Sequence, residues 1–386
     1  MKMRKHKKMI IGIDASRSIS GIKKTGVEIV SDHMIRGLLE AFVKKFKIKD
    51  LKLKDEFDLI FYTPEKIKWL PESNQKIFGP KRFWTVYGLS LEMLKNKPDV
   101  LFVPVHTLPF FCPKKTIKIV HDIAFREYPK IYDFWTRVYL NFDLRRCVKI
   151  CKKIIVPTSK VKMDLLSHTD VNENKIAVVR WGYDPKSAGK DKRATIDTES
   201  QIHGEKFGLN RKKQILYIGR IEEKKNILNL AIAFKIFSGQ YPDYILLLAG
   251  KSGFGFKDLK FNIESKLKIK NLKFLGYVSE LEKQKLLRES CCLVLISKDE
   301  GFGLPILEAF ASGLPVIASD ISALREVGGA GCVYVKPDSP EGIASGLKRI
   351  AEDMDLRKIM IERGYDRLKI FRSDKSAKQL IEILIS

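Results

Sequence analysis

The chain is expected to fold as an α/β protein of two doubly wound, Rossmann-like domains with parallel sheets. Three observations carry that expectation. Short apolar runs of strand length recur along the chain, alternating with longer stretches of helical pattern. The 386 residues are too many for one ordinary core. A polar, charged stretch over residues 185–211 divides the alternation into two halves.

The first half opens on a buried strand, Met9 to Ile13, and a polar loop from Asp14 to Lys24. Gly26 then opens a helix reaching about Lys47, whose apolar positions Ile29, Met34, Leu38, Leu39 and Phe42 form one face. Further strands are expected at Leu59 to Tyr62, Asp99 to Val103, Ile117 to Val120, Ile154 to Pro157 and Ile176 to Val179. A long helix over Phe134 to Cys151 falls among them. The second half brings strands at Ile215 to Ile218, Tyr244 to Ala249, Lys273 to Leu275, Cys291 to Ile296, Pro315 to Ala318 and Val333 to Val335, with a helix over Asn226 to Phe237. The expected domains are therefore 1–184, a linker at 185–211, 212–365, and a helical tail, 366–386.

Composition excludes several classes. An apolar share of 45% suits a soluble globular chain. Met1 to Lys8 is basic, but the apolar run behind it ends at Asp14, too soon for a signal peptide, and no stretch has the ~20 apolar residues of a spanning helix. The six cysteines form no CxxC and lie near no zinc-spaced His, so reduced thiols and a cytoplasmic protein are expected. The net charge of +26 raises nucleic acid, anionic membrane and phosphorylated substrates as partners. No helix-turn-helix, zinc or RNA-binding aromatic motif supports nucleic acid. The basic run Arg36, Lys44, Lys45, Lys47, Lys49, Lys52 and Lys54 makes the first helix the expected side for peripheral contact with an anionic membrane, or simply a solvated face.

Chemistry concentrates in the stretch Ser297 to Phe310, read as strand end, glycine-flanked loop and helix start with Pro305 in the first turn. Free N–H groups and the positive dipole end there suit a phosphate or sugar oxygen. Glu300 and Glu308 bracket it. Each carboxylate can accept from two neighbouring hydroxyls, as on a ribose or hexose, though either alone reads equally as a solvated charge. Gly219-Arg220 ends a strand and Lys225 lies five residues on, a fork and a point charge suited to a diphosphate; Lys224 is the rival for Lys225. Gly250-Lys251 starts a glycine-rich turn, Tyr277-Val278 follows a short strand, Gly26 sits beside a helix start, and His121-Asp122 ends a strand. Asp353-Met354-Asp355 is a literal DxD, but it precedes a helix, where Asp residues cap and complement the dipole, so no metal site is expected.

These segments together resemble the retaining glycosyltransferases of family 4, and within it the mannosyltransferase-like members. The resemblance rests on Glu300-Gly301-Phe302-Gly303-Leu304-Pro305 with seven residues between Glu300 and Glu308, on Gly219-Arg220 through Lys225-Asn226, and on the segment His121 to Pro129. It implies the GT-B fold, with acceptor on the first domain, donor on the second, the two sheets facing across a cleft, and the tail crossing back to the first domain. By resemblance, Arg220 and Lys225 hold the diphosphate and Glu300 the transferred sugar. Glu308 holds the ribose, and the backbone at Tyr277 and Val278 meets the base. Gly26, Gly219, Gly250, Lys251, Gly301, Phe302, Gly303 and Leu304 complete the donor site, and His121 touches the sugar. Catalysis is assigned to His121, Glu300, Arg220 and Lys225, with no metal and no cofactor beyond a nucleotide-diphosphate sugar, GDP-mannose preferred. The acceptor is a glycan or a lipid-linked glycan. Two other functions fit the same residues, a sugar-nucleotide epimerase and a non-catalytic nucleotide-sugar-binding subunit. The family's Arg-aromatic pair after the Gly26 helix start is Ile29-Val30 here, and its Pro-Asn-Gly is Arg180-Trp181-Gly182.

Overall fold

The computed structural model describes residues 8–19, 26–45, 57–81, 83–105, 107–183 and 211–386. The chain divides into two compact units. One comprises Met1–Arg126, Phe134–Gly182 and Ser373–Ser386, the other Glu127–Asp133 and Tyr183–Arg372.

In the first unit the order is β1 (Met9–Asp14), α1 (Gly26–Lys45), β2 (Phe57–Thr63), β3 (Gln75–Ile77), α2 (Ser90–Lys95) and β4 (Val100–Val103). Then come β5 (Lys115–Ile119), α3 (Ala124–Glu127), α4 (Phe134–Ile150), β6 (Lys153–Val156), α5 (Ser159–His168) and β7 (Ile176–Val178). The strands form one parallel sheet in the order β3-β2-β1-β4-β5-β6-β7. Helices cover its faces, so central strands such as β4 are buried at every residue, which is why they read as unbroken apolar runs. The sequence reading lacks β3. This strand has only three residues, of which Gln75 and Lys76 are polar, and they pair only with β2 at the sheet edge.

In the second unit follow β8 (Gln214–Ile218), a 3₁₀ turn (Glu223–Lys225), α6 (Ile227–Gln240), β9 (Ile245–Ala249), α7 (Phe256–Phe261), β10 (Leu272–Gly276) and α8 (Glu280–Glu289). The rest is β11 (Cys292–Leu295), α9 (Leu304–Ala311), β12 (Val316–Ser319), α10 (Ser322–Gly328), β13 (Cys332–Val335), α11 (Pro340–Glu352) and α12 (Met354–Leu368). Its parallel sheet has the order β10-β9-β8-β11-β12-β13. Ser279 and Glu282 form a reciprocal capping box that starts α8. Asp353 caps α12 through a 2.8 Å bond from the Leu356 N–H.

The last helix, α13 (Ser373–Ile385), belongs to the first unit and packs along α1. The helical tail is thus two helices, not one from residue 366. α12 ends at Leu368, and the change of unit falls at Ser373. Residues 185–210 of the expected linker lie outside the described residues. Its last residue, Arg211, is no linker. Its guanidinium donates to the carbonyls of Leu287, Ser290, Ser312 and Gly313 at 2.6–3.2 Å, tying the ends of α8 and α9 together.

Candidate active site

The order of the second sheet reverses between β8 and β11, and loops leaving such a reversal diverge to open a crevice at the strands' carboxyl ends. The segments after β8 and β11 carry Arg220, Lys225 and Glu300. Three glycines let the neighbouring backbones close up. The N–H of Gly219 donates to Ala249 O at 3.0 Å, and that of Gly250 to Gly276 O at 2.7 Å. A Cβ on Gly250 would lie 1.6 Å from the Gly219 carbonyl oxygen, so only glycine fits. Tyr217, wholly buried on β8, donates its hydroxyl to Arg220 O at 2.8 Å and pins that turn.

Two consecutive lysines meet two consecutive acids in this crevice. Lys225 Nζ lies 2.7 Å from Glu300 Oε1, which also accepts from Ser297 Oγ at 2.7 Å. Lys224 Nζ is 3.9 Å from Asp299 Oδ2, with both side chains buried. Burial pushes the Glu300 carboxyl up, but the Lys225 and Lys224 charges and the two hydrogen bonds outweigh it and hold it below the usual range. Both rivals for the phosphate lysine therefore stand here, Lys225 more open than Lys224. Lys225 ends the 3₁₀ turn rather than starting a helix. Asn226 follows in the left-handed region at φ 59°, and its amide donates to Ile296 O and Pro337 O at 3.2 and 2.6 Å. This bond ties the Lys225 turn to the end of β11. Arg220 is half exposed, its Nε 3.9 Å from Glu222 Oε2.

The loop after Glu300 turns its side chains inward. Gly301, Phe302, Gly303 and Leu304 are buried, and Phe302 packs edge-on against Phe371 with ring centres 5.8 Å apart. What Phe302 and Leu304 can offer a ligand is therefore backbone. Gly303 at φ 107° caps α9, and Pro305 occupies its first turn, so the positive end of the helix dipole faces this loop. Glu308, on the second turn of α9, is buried and accepts from Lys283 Nζ of α8 at 2.6 Å. Lys283 also meets Glu280 at 2.8 Å. Burial works against its charge, but the two carboxylates prevail and raise it above the ordinary lysine value. The sequence reading lacks Lys283, because nothing near it in the chain marks it among 72 basic residues. Lys251 Nζ sits 5.3 Å from the ring centre of Tyr277, which is exposed beside half-buried Val278.

The first unit holds the remaining candidates. His121, only 7% exposed, ends β5's loop and donates from Nε2 to Pro104 O at 2.9 Å, with Trp181 against its ring at 5.7 Å. Ser31 of α1 donates to the same carbonyl at 3.1 Å. Gly26 is exposed at the start of α1, while the loop before it and His106 lie outside the described residues. This sheet reverses between β1 and β4, and a cavity of about 910 Å³ opens there. Ser16, Arg17, Lys81, Thr107 and Tyr139 are among its lining. Asp14 is wholly buried at the end of β1, beside that loop. Its Oδ1 accepts from Ser16 N at 3.0 Å, while Oδ2 has no hydrogen-bond partner among the described residues. The sequence reading lacks both the cavity and Asp14. The lining comes from segments far apart in the chain.

The family described as glycosyl transferases group 1 matches residues 199–367. O-antigen chain mannosyltransferase RfbU of Salmonella typhimurium is 30% identical over 276 residues, 70% of each chain. The chain belongs to the group 1 glycosyltransferases. Another relative of this glycosyltransferase, O-antigen chain mannosyltransferase B of Escherichia coli, is 25% identical over 75% of this chain and 74% of its own. Sucrose-phosphate synthase of Thermosynechococcus elongatus shares the architecture with a TM-score of 0.70 at 16% identity, covering 97% of this chain and 98% of its own. With two parallel-sheet α/β units and that likeness, the glycosyltransferase has the GT-B fold. Its family-matched stretch contains Arg220, Lys225, Glu300 and Glu308; His121, Gly26 and the 910 Å³ cavity lie outside it.

Proposed function

We propose that this glycosyltransferase moves mannose from GDP-mannose to a glycan or lipid-linked glycan in polysaccharide synthesis, with retention at the anomeric carbon and without a metal ion. The observation that carries the reading is the pairing of Lys225 with Glu300 at the ends of β8 and β11. An ammonium and a carboxylate held together at a sheet's reversal offer one partner for a phosphate and one for sugar hydroxyls. Arg220, half exposed and lightly engaged, adds a guanidinium fork for the diphosphate. The N-terminus of α9 supplies further positive potential. Glu308 is buried and oriented by Lys283, which suits a fixed acceptor for ribose hydroxyls. Mannose is favoured by two relatives named as O-antigen chain mannosyltransferases.

In the proposed step the bond from the anomeric carbon to the diphosphate oxygen breaks as a bond to the acceptor oxygen forms on the same face. The acceptor's proton passes to the departing phosphate oxygen. Arg220 and Lys225 stand where negative charge grows, and preorganised charge there lowers the barrier most. The cavity of the first unit, with Arg17, Lys81 and Thr107, is proposed for the acceptor. His121 enters on resemblance alone, and its Nε2 is already committed to Pro104 O.

The experiment is transfer from GDP-mannose to acceptor lipids or glycans, with the product anomer read by NMR. A product with the donor's anomeric configuration is expected. Glu300→Ala is expected to cut the rate about a hundredfold or more while nucleotide affinity changes only a few-fold. An inverted anomer contradicts retention. Release of free epimerised sugar nucleotide, or no turnover with any donor that binds, contradicts transfer itself.

A further inference from the structure

We propose that the first unit carries a lipid-docking face, built on α4 and α2, that seats the protein on an anionic lipid surface. This goes beyond the transfer reaction and does not depend on it. α4 is anchored from one side. Asp143, Leu144 and Cys147 are buried, and Asp143 pairs with buried Lys118 of β5 and accepts from Leu108 N at 2.9 Å. Its other side presents Phe134, Trp135, Val138, Tyr139 and Phe142 to solvent, Trp135 with 77% of its surface exposed. Their spacing of one, three and four residues places them on one helix face. A soluble surface helix normally shows the reverse pattern, polar outward.

The face extends beyond α4. Phe110, itself exposed, receives the Arg146 guanidinium 5.5 Å from its ring centre, and Arg146 also lies 5.7 Å from Phe142. The Phe110 N–H donates to Ser90 Oγ at 2.7 Å, at the start of α2, whose Leu91 and Leu94 are exposed as well. Tyr87 and Phe83, exposed on the turn before α2, join Tyr139 in lining the 910 Å³ cavity. The apolar face thus runs to the cavity's mouth.

Charge selects the occupant. α4 carries Arg137, Arg145, Arg146 and Lys149 against a single acid, Asp143, which Lys118 already neutralises. Aromatic rings and long basic side chains interleaved on one face match the boundary between acyl chains and anionic headgroups, where rings enter and cations reach phosphates. Among the described residues α1 has no comparable exposed apolar face. Arg36 is engaged by Asp32 at 3.1 Å and stacks over Trp69 at 3.9 Å, and α13 packs on α1. The lysines at 47, 49, 52 and 54 lie outside the described residues.

The test is flotation of the full chain with phosphatidylcholine vesicles, with and without phosphatidylglycerol, at low and at high salt. Binding is expected only with phosphatidylglycerol and is expected to weaken with salt. Trp135→Ala with Phe142→Ala is expected to weaken it at least about tenfold, and Arg145→Ala about fivefold. Lys44→Ala on α1 is expected to stay within about twofold. All these positions are exposed, so unchanged melting curves check the fold. No flotation at low salt, or full binding by the Trp135/Phe142 double variant, overturns the proposal. So does a wild-type dimer that the same double substitution dissociates, because the face would then bind a second copy.

Discussion

Asp14 is the residue whose environment makes the plainest demand on the solvent. Burial pushes its carboxyl from 3.8 up to about 6, while the Ser16 hydrogen bonds and the Arg17 charge pull only partly the other way. The folded chain therefore keeps a proton there that the unfolded chain has lost. Asp14 by itself therefore costs nothing below about pH 4, costs more as pH rises through 4 to 6, and above that contributes its whole penalty, about 3 kcal/mol. Asp14→Asn is expected to remove that slope and to raise unfolding free energy at neutral pH, read by urea denaturation across the window. Equal slopes in both proteins would contradict the burial account. No neighbour in the sequence distinguishes Asp14 from a loop acid. The burial comes from the sheet around β1, which no local pattern announces. Glu300 was legible for the opposite reason: its glycines and Pro305 travel with it in the chain.

At the scale of elements, the strands were legible wherever both faces are covered, because burial on both sides demands an unbroken apolar run. β4, β8 and β11 are of this kind. β3 escaped because an edge strand needs no such run. α4 was legible as a helix but not as an apolar face turned outward, since periodicity alone does not say which side the sheet will cover. The α8–α9 contact was not legible at all. Its buried pair, Lys283 with Glu308, joins residues 25 positions apart. Removing one partner strands the other charge, so Lys283→Ala is expected to lower unfolding free energy by roughly 3–5 kcal/mol. It is also expected to weaken nucleotide binding, because Glu308 loses the group that orients it. A variant as stable as wild type, with undiminished affinity, would show that the pair matters to neither.

For the whole molecule, the two parallel sheets and their reversals place the crevice of Arg220, Lys225 and Glu300 in one unit and a cavity in the other. The alternation of elements made that architecture readable, whereas the cavity needed the fold to gather its lining. Among the described residues no helix is long and apolar enough to cross a membrane. The positive charge proposed for the diphosphate comes from side chains and a helix end, so turnover is expected to survive EDTA. Asp353→Asn with Asp355→Asn is expected to leave turnover near normal, since Asp353 is occupied in capping α12. Loss in EDTA restored by manganese or magnesium would contradict this. The central claim is that Arg220 and Lys225 hold the donor's diphosphate, and calorimetric titration of GDP-mannose and GDP tests it most directly. Arg220→Ala and Lys225→Ala are each expected to weaken binding about tenfold or more, since a charge-assisted hydrogen bond contributes roughly 1.5–3 kcal/mol. Wild-type affinity for both ligands in both variants would contradict the claim.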